Sequence, residues 1–232
     1  MADRVVLVTG AAGNLGRAVA AAFEAAGDTL LLVDRSREGL AAAFGEETAR
    51  RHFVPANLLD AASVEVAVQA QLQRHGRIDA LCNLAGGFRM GEAVHETTAG
   101  TWDLLFDLNA RSVVHMARAV VPAMLKQGRG FIVNVGANAA QHGAARMGSY
   151  LASKSVVMRL TETMAAELRE QGINVNGVLP STIDTPENRA AMPDVDPARW
   201  VAPADLAAVI LFLSSDAARA VHGALVPVVG LS

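Results

Sequence analysis

The sequence predicts an α/β protein: one doubly wound domain around a parallel, seven-stranded sheet flanked by helices on both faces. Two observations carry this. Short β-branched or leucine-rich runs alternate along the chain with longer alanine-rich segments of helical period, and such alternation builds parallel sheets covered on both faces through right-handed crossovers. No linker, repeat or low-complexity tract interrupts the 232 residues. A length of this order holds one large core or two small ones, and the unbroken alternation favours a single domain, 1–232.

Taken in order, the run Val5 to Thr9 is the first strand, followed by a helix over about Leu15 to Ala26. Thr29 to Val33 and the helix Glu38 to Thr48 come next, then His52 to Pro55 with the helix Ala61 to His75. The fourth strand, Ala80 to Leu84, leads to a long apolar helix, Thr101 to Lys126. Phe131 to Val135 precedes the helix Ser149 to Gln171; Asn174 to Leu179, the helix Ala204 to Ser214 and the strand Ala224 to Val229 complete the pattern. The proline-rich stretch Pro180 to Pro203 has no strand pattern and carries Met192 and Trp200. It reads as an excursion over the sheet edge, and its part from about 186 to 203 as a substrate loop, because long loops in compact domains are often binding loops or lids.

Composition narrows the partners. A net charge of -3, no basic tract and only 4% aromatic residues give no electrostatic footprint for nucleic acid or anionic lipid, so the expected partner is a small molecule. Cys82 is the single cysteine and has no partner for an internal disulfide. The start Met1-Ala2-Asp3-Arg4 lacks a basic n-region with a long apolar stretch, and no uncharged apolar segment reaches the roughly 18 residues of a membrane span. A cytoplasmic protein is expected.

The first strand ends in Thr9-Gly10-Ala11-Ala12-Gly13-Asn14-Leu15-Gly16 and passes directly into a helix. Glycines there permit a tight turn and close approach of backbone to a pyrophosphate, whose charge the helix N-terminus then meets. A glycine trio alone is also what a strand-to-helix turn requires, but this one follows a strand and opens a helix. The second strand leads to Asp34, where a carboxylate can accept hydrogen bonds from adenosine ribose hydroxyls. This favours NAD over NADP, whose 2'-phosphate would face a like charge, although Arg35 beside it softens the discrimination and NADP stays possible.

The only tyrosine, Tyr150, precedes Lys154 by one helical turn, so phenol and ammonium lie on one face. A fixed positive charge favours phenolate, which would bring a group titrating near pH 10 to lower pH. The competing reading is a surface helix with an unrelated Tyr and Lys.

Together these features resemble the short-chain dehydrogenase/reductase superfamily, a Rossmann-type fold, over essentially the whole chain. The glycine loop, Asn83-Leu84-Ala85-Gly86, Asn109, Tyr150 with Lys154, and Pro180 to Thr185 fall in family order. The resemblance implies an NAD(P)-dependent oxidoreductase moving a hydride between nicotinamide and a small substrate. Tyr150 would be the general acid or base, Lys154 would lower the tyrosine pKa and hold the nicotinamide ribose, and Asn109 would open its helix locally and anchor a water. Cofactor contacts would come from Gly10, Asn14, Leu15, Gly16 and Asp34, from Asn57 with Leu58 at the adenine, from Asn83, Ala85 and Gly86 at the nicotinamide ribose, and from Pro180, Ile183 and Thr185. The family's pairing of its two long helices across a two-fold axis implies a homodimer or homotetramer.

Several positions depart from the family pattern. Asn57 stands for an aspartate whose acceptor role an amide oxygen can take, Asn14 for the middle glycine, Leu84 for a second Asn and Ser181 for a Gly. The departure with chemical weight is Ala137, where most members carry a serine that hydrogen-bonds the substrate oxygen. Losing such a donor costs about 3 to 4 kcal/mol of transition-state stabilisation. Asn138 is one candidate substitute; the other is a substrate already activated. Gly136 to Ala140, Leu179 to Arg189, Met192-Pro193 and Trp200 locally resemble the dihydropteridine reductases, which lack the serine, use NADH and reduce quinonoid dihydropterins. Phe88 stands where those enzymes place an aromatic near the pterin, or is a lid hydrophobe, and Met147 and Met192 join Ala137, Asn138 and Phe88 as pocket candidates. A non-catalytic nucleotide sensor on the same fold, with Ala137 marking lost chemistry, is the alternative of another class. The histidines His52, His75, His95, His115, His142 and His222 form no metal motif, and Cys82 reads as a buried, inert thiol.

Overall fold

The computed structural model describes residues 4–231; Met1–Asp3, on which the leader reading partly rests, and Ser232 lie outside the described residues. The strands are β1 (Val5–Thr9), β2 (Thr29–Asp34), β3 (Arg51–Pro55), β4 (Ala80–Asn83), β5 (Gly130–Val135), β6 (Ile173–Pro180) and β7 (Leu225–Val228). They form one sheet in the order β3-β2-β1-β4-β5-β6-β7, with every pair parallel. The helices are α1 (Asn14–Ala25), α2 (Arg37–Phe44), α3 (Ala61–His75), α4 (Ala99–Phe106), α5 (Ser112–Gln127), α6 (Gly148–Leu168), α7 (Pro186–Ala191) and α8 (Pro203–Leu213).

The apolar strand sequences explain the layers. Val6, Val8, Leu30 and Leu32 enter one apolar cluster, while Val5, Leu7, Leu31 and Val33 enter another. Successive side chains of a strand point to opposite faces, so a strand apolar at every position has to be covered on both. Val19 and Phe23 of α1 with Leu206 and Ile210 of α8 close the first face. Val64 and Val68 of α3, Met116 and Val120 of α5 and Ala165 of α6 close the second. Each such side chain contributes about 1.5–3 kcal/mol on burial, which makes the sheet a stiff platform for the loops at its carboxyl ends.

Two elements differ from expectation, and the long helix is interrupted where Asn109 was expected to open it. The helix expected to run to Thr48 stops at Phe44, because Gly45 takes φ 75, a conformation costly for other residues. The long helix is not continuous: α4 and α5 are joined by a π-helical turn, Asp107–Arg111, with Asn109 in its middle, and such turns recur at functional sites. The stretch expected to be a loop contains α7, started by the Thr185 hydroxyl accepting from the Asn188 N–H at 3.2 Å and by Pro186 at a first-turn position. Those are helix-start signals overlooked behind the prolines. An isolated bridge between Ile183 and Val201 closes the base of this excursion.

Strand order reverses between β1 and β4. The crevice outside the strands' carboxyl ends at such a switch point is where open α/β sheets bind ligands. Both the glycine turn after β1 and the Asn83-to-Gly87 segment after β4 emerge there.

Candidate active site

Gly10 has φ 63, and a Cβ on it would lie 2.9 Å from the Ala85 backbone. On Gly16 a Cβ would come within 2.3 Å of the Gly10 carbonyl oxygen. These two glycines therefore serve the packing of α1 and of the β4 loop on the turn. Gly13, the N-cap of α1, provides no side-chain cap, which leaves the first N–H groups of α1 as donors for an anion. This arrangement fits a pyrophosphate. Asp34 is fixed from two sides: its Oδ2 accepts from the Ala12 N–H at 2.9 Å and its Oδ1 from the Arg35 N–H at 2.8 Å. Asn14 turns elsewhere, donating to Glu187 Oε2 at 2.8 Å while its Oδ1 accepts from Arg17 at 2.7 Å.

Thr9 ties β1 to the next loop. Its hydroxyl oxygen accepts from the N–H groups of Leu84 and Ala85 at 3.1 and 3.2 Å. The side chain of Asn83, expected beside the nicotinamide ribose, instead donates to Asn134 Oδ1 at 2.8 Å, and Asn134 donates to Thr161 at 2.9 Å. Asn83 is buried and its side chain belongs to this chain of amides within the sheet. Asn57 sits in a local turn, where its Oδ1 accepts from the Leu59 N–H at 3.1 Å, with Leu58 buried next to it. Pro180 ends β6, Ile183 packs partly into the core, and the Thr185 hydroxyl is engaged as the cap of α7.

Asn109 is 1% exposed and acts as a clamp. It accepts from the Gly87 N–H at 2.7 Å and donates to the Gly87 carbonyl at 3.1 Å and to Ser153 Oγ at 2.9 Å. One amide thus joins the β4 loop to α6. A Cβ on Gly86 would lie 2.9 Å from Asn109 Oδ1 and 3.1 Å from Lys154 Nζ, so Gly86, Asn109 and Lys154 converge on one point.

Tyr150 and Lys154 share α6. The Lys154 ammonium donates to the Val135 carbonyl at 2.8 Å, and burial brings its pKa down to about 8. The expectation that Lys154 lowers the Tyr150 pKa is not met in this arrangement. Burial pushes the phenol up to about 12, because both side chains leave water and each then favours its neutral form. Tyr150 is a protonated donor throughout the neutral range. Its ring meets Phe88 edge-on, centroids 4.8 Å apart, and packs against the apolar cluster of Ala137, Ala140, Leu151, Met158 and Leu179, which Met147 also flanks. Ala137 is buried there and offers no donor. The adjacent Asn138 accepts from Gln141 at 2.7 Å through its Oδ1, which leaves its NH2 as the donor. Met192 caps the end of α7.

Residues that sequence reading passed over include Thr9, Asn134, Ser153 and Glu187. Only Ser153, three residues after Tyr150 on the same helix face, was signalled by spacing. The other three act through contacts distant in sequence.

Among the described residues no helix is long and apolar enough to cross a membrane, and no group of three or more His, Cys, Asp or Glu is placed to hold a metal ion. Cys82 is fully buried, which pushes its pKa to about 12.

A glycine turn opening onto an uncapped helix at a sheet's switch point, followed by a fixed acidic residue, marks a dinucleotide-binding site of Rossmann type. The family model for short chain dehydrogenases matches residues 4–196, and the chain belongs to that family. It is similar to a D-threitol dehydrogenase of Mycolicibacterium smegmatis, 34% identical over 95% of this chain and 89% of the relative. Similarity to a 3-oxoacyl-[acyl-carrier-protein] reductase of Thermotoga maritima is 33% identity over 98% of this chain and 96% of the relative. A levodione reductase of Leifsonia aquatica is 35% identical over 98% of this chain and 93% of its own length. A crystal structure of levodione reductase superposes with a TM-score of 0.91 at 34% identity, covering 98% of this chain and 96% of that one. The chain is an NAD(P)-dependent oxidoreductase of this family.

Proposed function

We propose that the protein transfers a hydride between NAD(H) and a small organic substrate, with Tyr150 moving the proton. The observation that carries this is the placement of Tyr150 between Phe88 and the Ala137 cluster, one turn from a buried Lys154. When bound, the nicotinamide cofactor supplies or takes up the hydride. Tyr150, held protonated by burial, donates its hydroxyl proton to the developing alkoxide in reduction. Lys154 supplies a positive charge behind it, and Asn109 fixes the backbone at Gly87, next to the Gly86 position where it meets Lys154. Asp34 would meet the adenosine ribose and so favour NADH over NADPH.

The test is Tyr150→Phe: turnover is abolished while NADH affinity, read by fluorescence titration, stays within about twofold. Undiminished turnover would refute the assignment. Tighter binding of NADPH than NADH would overturn the cofactor preference, and NADH binding without turnover of any substrate would favour the nucleotide-sensing alternative.

A second reading narrows the substrate to a quinonoid or imine, as in the dihydropteridine reductases. Two observations favour it: Ala137 leaves the substrate oxygen without a hydroxyl donor, and Phe88 stands edge-on to Tyr150, where a flat ring can lie against it. Rates with quinonoid dihydropterin against a panel of ketones and acyl thioesters separate this from a carbonyl reductase using Asn138. A homodimer or homotetramer is also proposed. An apolar groove of about 430 Å³ between α5 and α6, lined by Val113, Val114, Val121, Leu160 and Met164, is the face for it, with light scattering as the check.

A further inference from the structure

We infer that Glu187, on α7, lowers cofactor affinity by holding its carboxylate, through the Asn14 side chain, at the end of α1 that the cofactor's pyrophosphate would occupy. The inference rests on the dinucleotide reading above and concerns a residue outside the glycine turn. Three features place Glu187 there. Thr185 and Pro186 start α7 so that Glu187 falls in its first turn. Its Oε2 accepts from the Asn14 side chain at 2.8 Å. Asn14 is in turn held from the other side by Arg17, whose guanidinium donates to Asn14 Oδ1 at 2.7 Å, so the amide is oriented with its NH2 toward α7.

The consequence is a competition. Asn14 is the first residue of α1, whose N-terminus has no side-chain cap and attracts negative charge through its free N–H groups and dipole. A pyrophosphate seated on those N–H groups would be a second anion at the helix end where the Asn14 side chain already holds the Glu187 carboxylate. The two repel when both are present, since two exposed charges within a Debye length of about 8 to 10 Å still feel one another. The Asn14–Glu187 contact ties α7 to the start of α1, and a pyrophosphate entering there works against it.

The test is titration of the intact protein with NADH and with ADP, which keeps the pyrophosphate without the nicotinamide, and with adenosine, which has no phosphate. Glu187→Gln and Glu187→Ala should tighten NADH and ADP binding by about two- to fivefold, the range of a single charge at a helix N-terminus, and leave adenosine unchanged. In an Asn14→Ala background the gain should shrink, because the side chain that holds the carboxylate at the α1 end is gone. Unchanged or weaker NADH and ADP binding in both Glu187 variants would overturn the inference and make the residue a spectator or a clamp on bound cofactor. An equal gain for adenosine would overturn it too. Failure of every form, wild type included, to bind NADH or ADP would instead strike at the dinucleotide reading itself.

Discussion

Asn109→Ala isolates the contribution of the clamp. The substitution removes one acceptor and two donations: the Gly87 N–H at 2.7 Å, the Gly87 carbonyl at 3.1 Å and Ser153 Oγ at 2.9 Å. A hydrogen bond contributes about 0.5–1.5 kcal/mol net, but a donor left without a partner costs about 1–3 kcal/mol. Gly87 N–H becomes such a donor, and with Asn109 only 1% exposed water has poor access. The expected loss is about 3 kcal/mol, which for a chain of this size corresponds to a drop in Tm of roughly 6–12 °C. Urea unfolding gives the first quantity and scanning fluorimetry the second. Asn109→Asp keeps an acceptor for Gly87 N–H but repels its carbonyl and buries a charge, so it should be no more stable than the alanine variant. In the folded fraction kcat should fall more than NADH affinity, since the Gly86-Gly87 backbone and Lys154 lose their common support. A loss under about 0.5 kcal/mol for Asn109→Ala would refute the reasoning.

Gly16→Ala should destabilise by about 1–3 kcal/mol, as overpacking does, because its Cβ would lie 2.3 Å from the Gly10 carbonyl oxygen; NADH titration of the folded fraction should show the turn displaced, with affinity at least tenfold weaker. Cys82 should resist iodoacetamide in the native protein at pH 8 and react on unfolding, since burial holds its thiol near a pKa of 12 and the thiolate is the reactive form. His52 and His75, ring centroids 4.9 Å apart, are both held below the ordinary histidine pKa, chiefly by burial and then by neighbouring positive charge. Well above pH 6.5 both are neutral in either state; as pH falls through about 6.5 the unfolded chain takes up protons first, so stability falls as pH drops toward the lower folded pKa values. Urea midpoints at pH 7.5 and 5.5 measure this, and His75→Phe should flatten the difference.

The parallel sheet was legible because its strands are apolar at every position, and only coverage on both faces permits that. Glycine turn, Asp34, Tyr150 and Lys154 were legible because their requirements are local: a turn without Cβ atoms, an acid at a strand end, two groups one helical turn apart. Helix ends were less so. Gly45 stops α2 by a backbone choice, and the Thr185 cap of α7 was hidden among prolines that look like loop.

What the sequence by itself determined about this protein was its architecture and the identity of the chemical groups at the site, since periodicity and side-chain type are properties of the chain. Tertiary structure alone decided their states and partners. It joined Asn109 to Gly87 and Ser153, turned Asn83 into the sheet, brought Glu187 to Asn14, and set Tyr150 high and Lys154 low by taking both out of water. Burial and contacts between distant segments fix those properties, and neither is encoded in spacing along the chain.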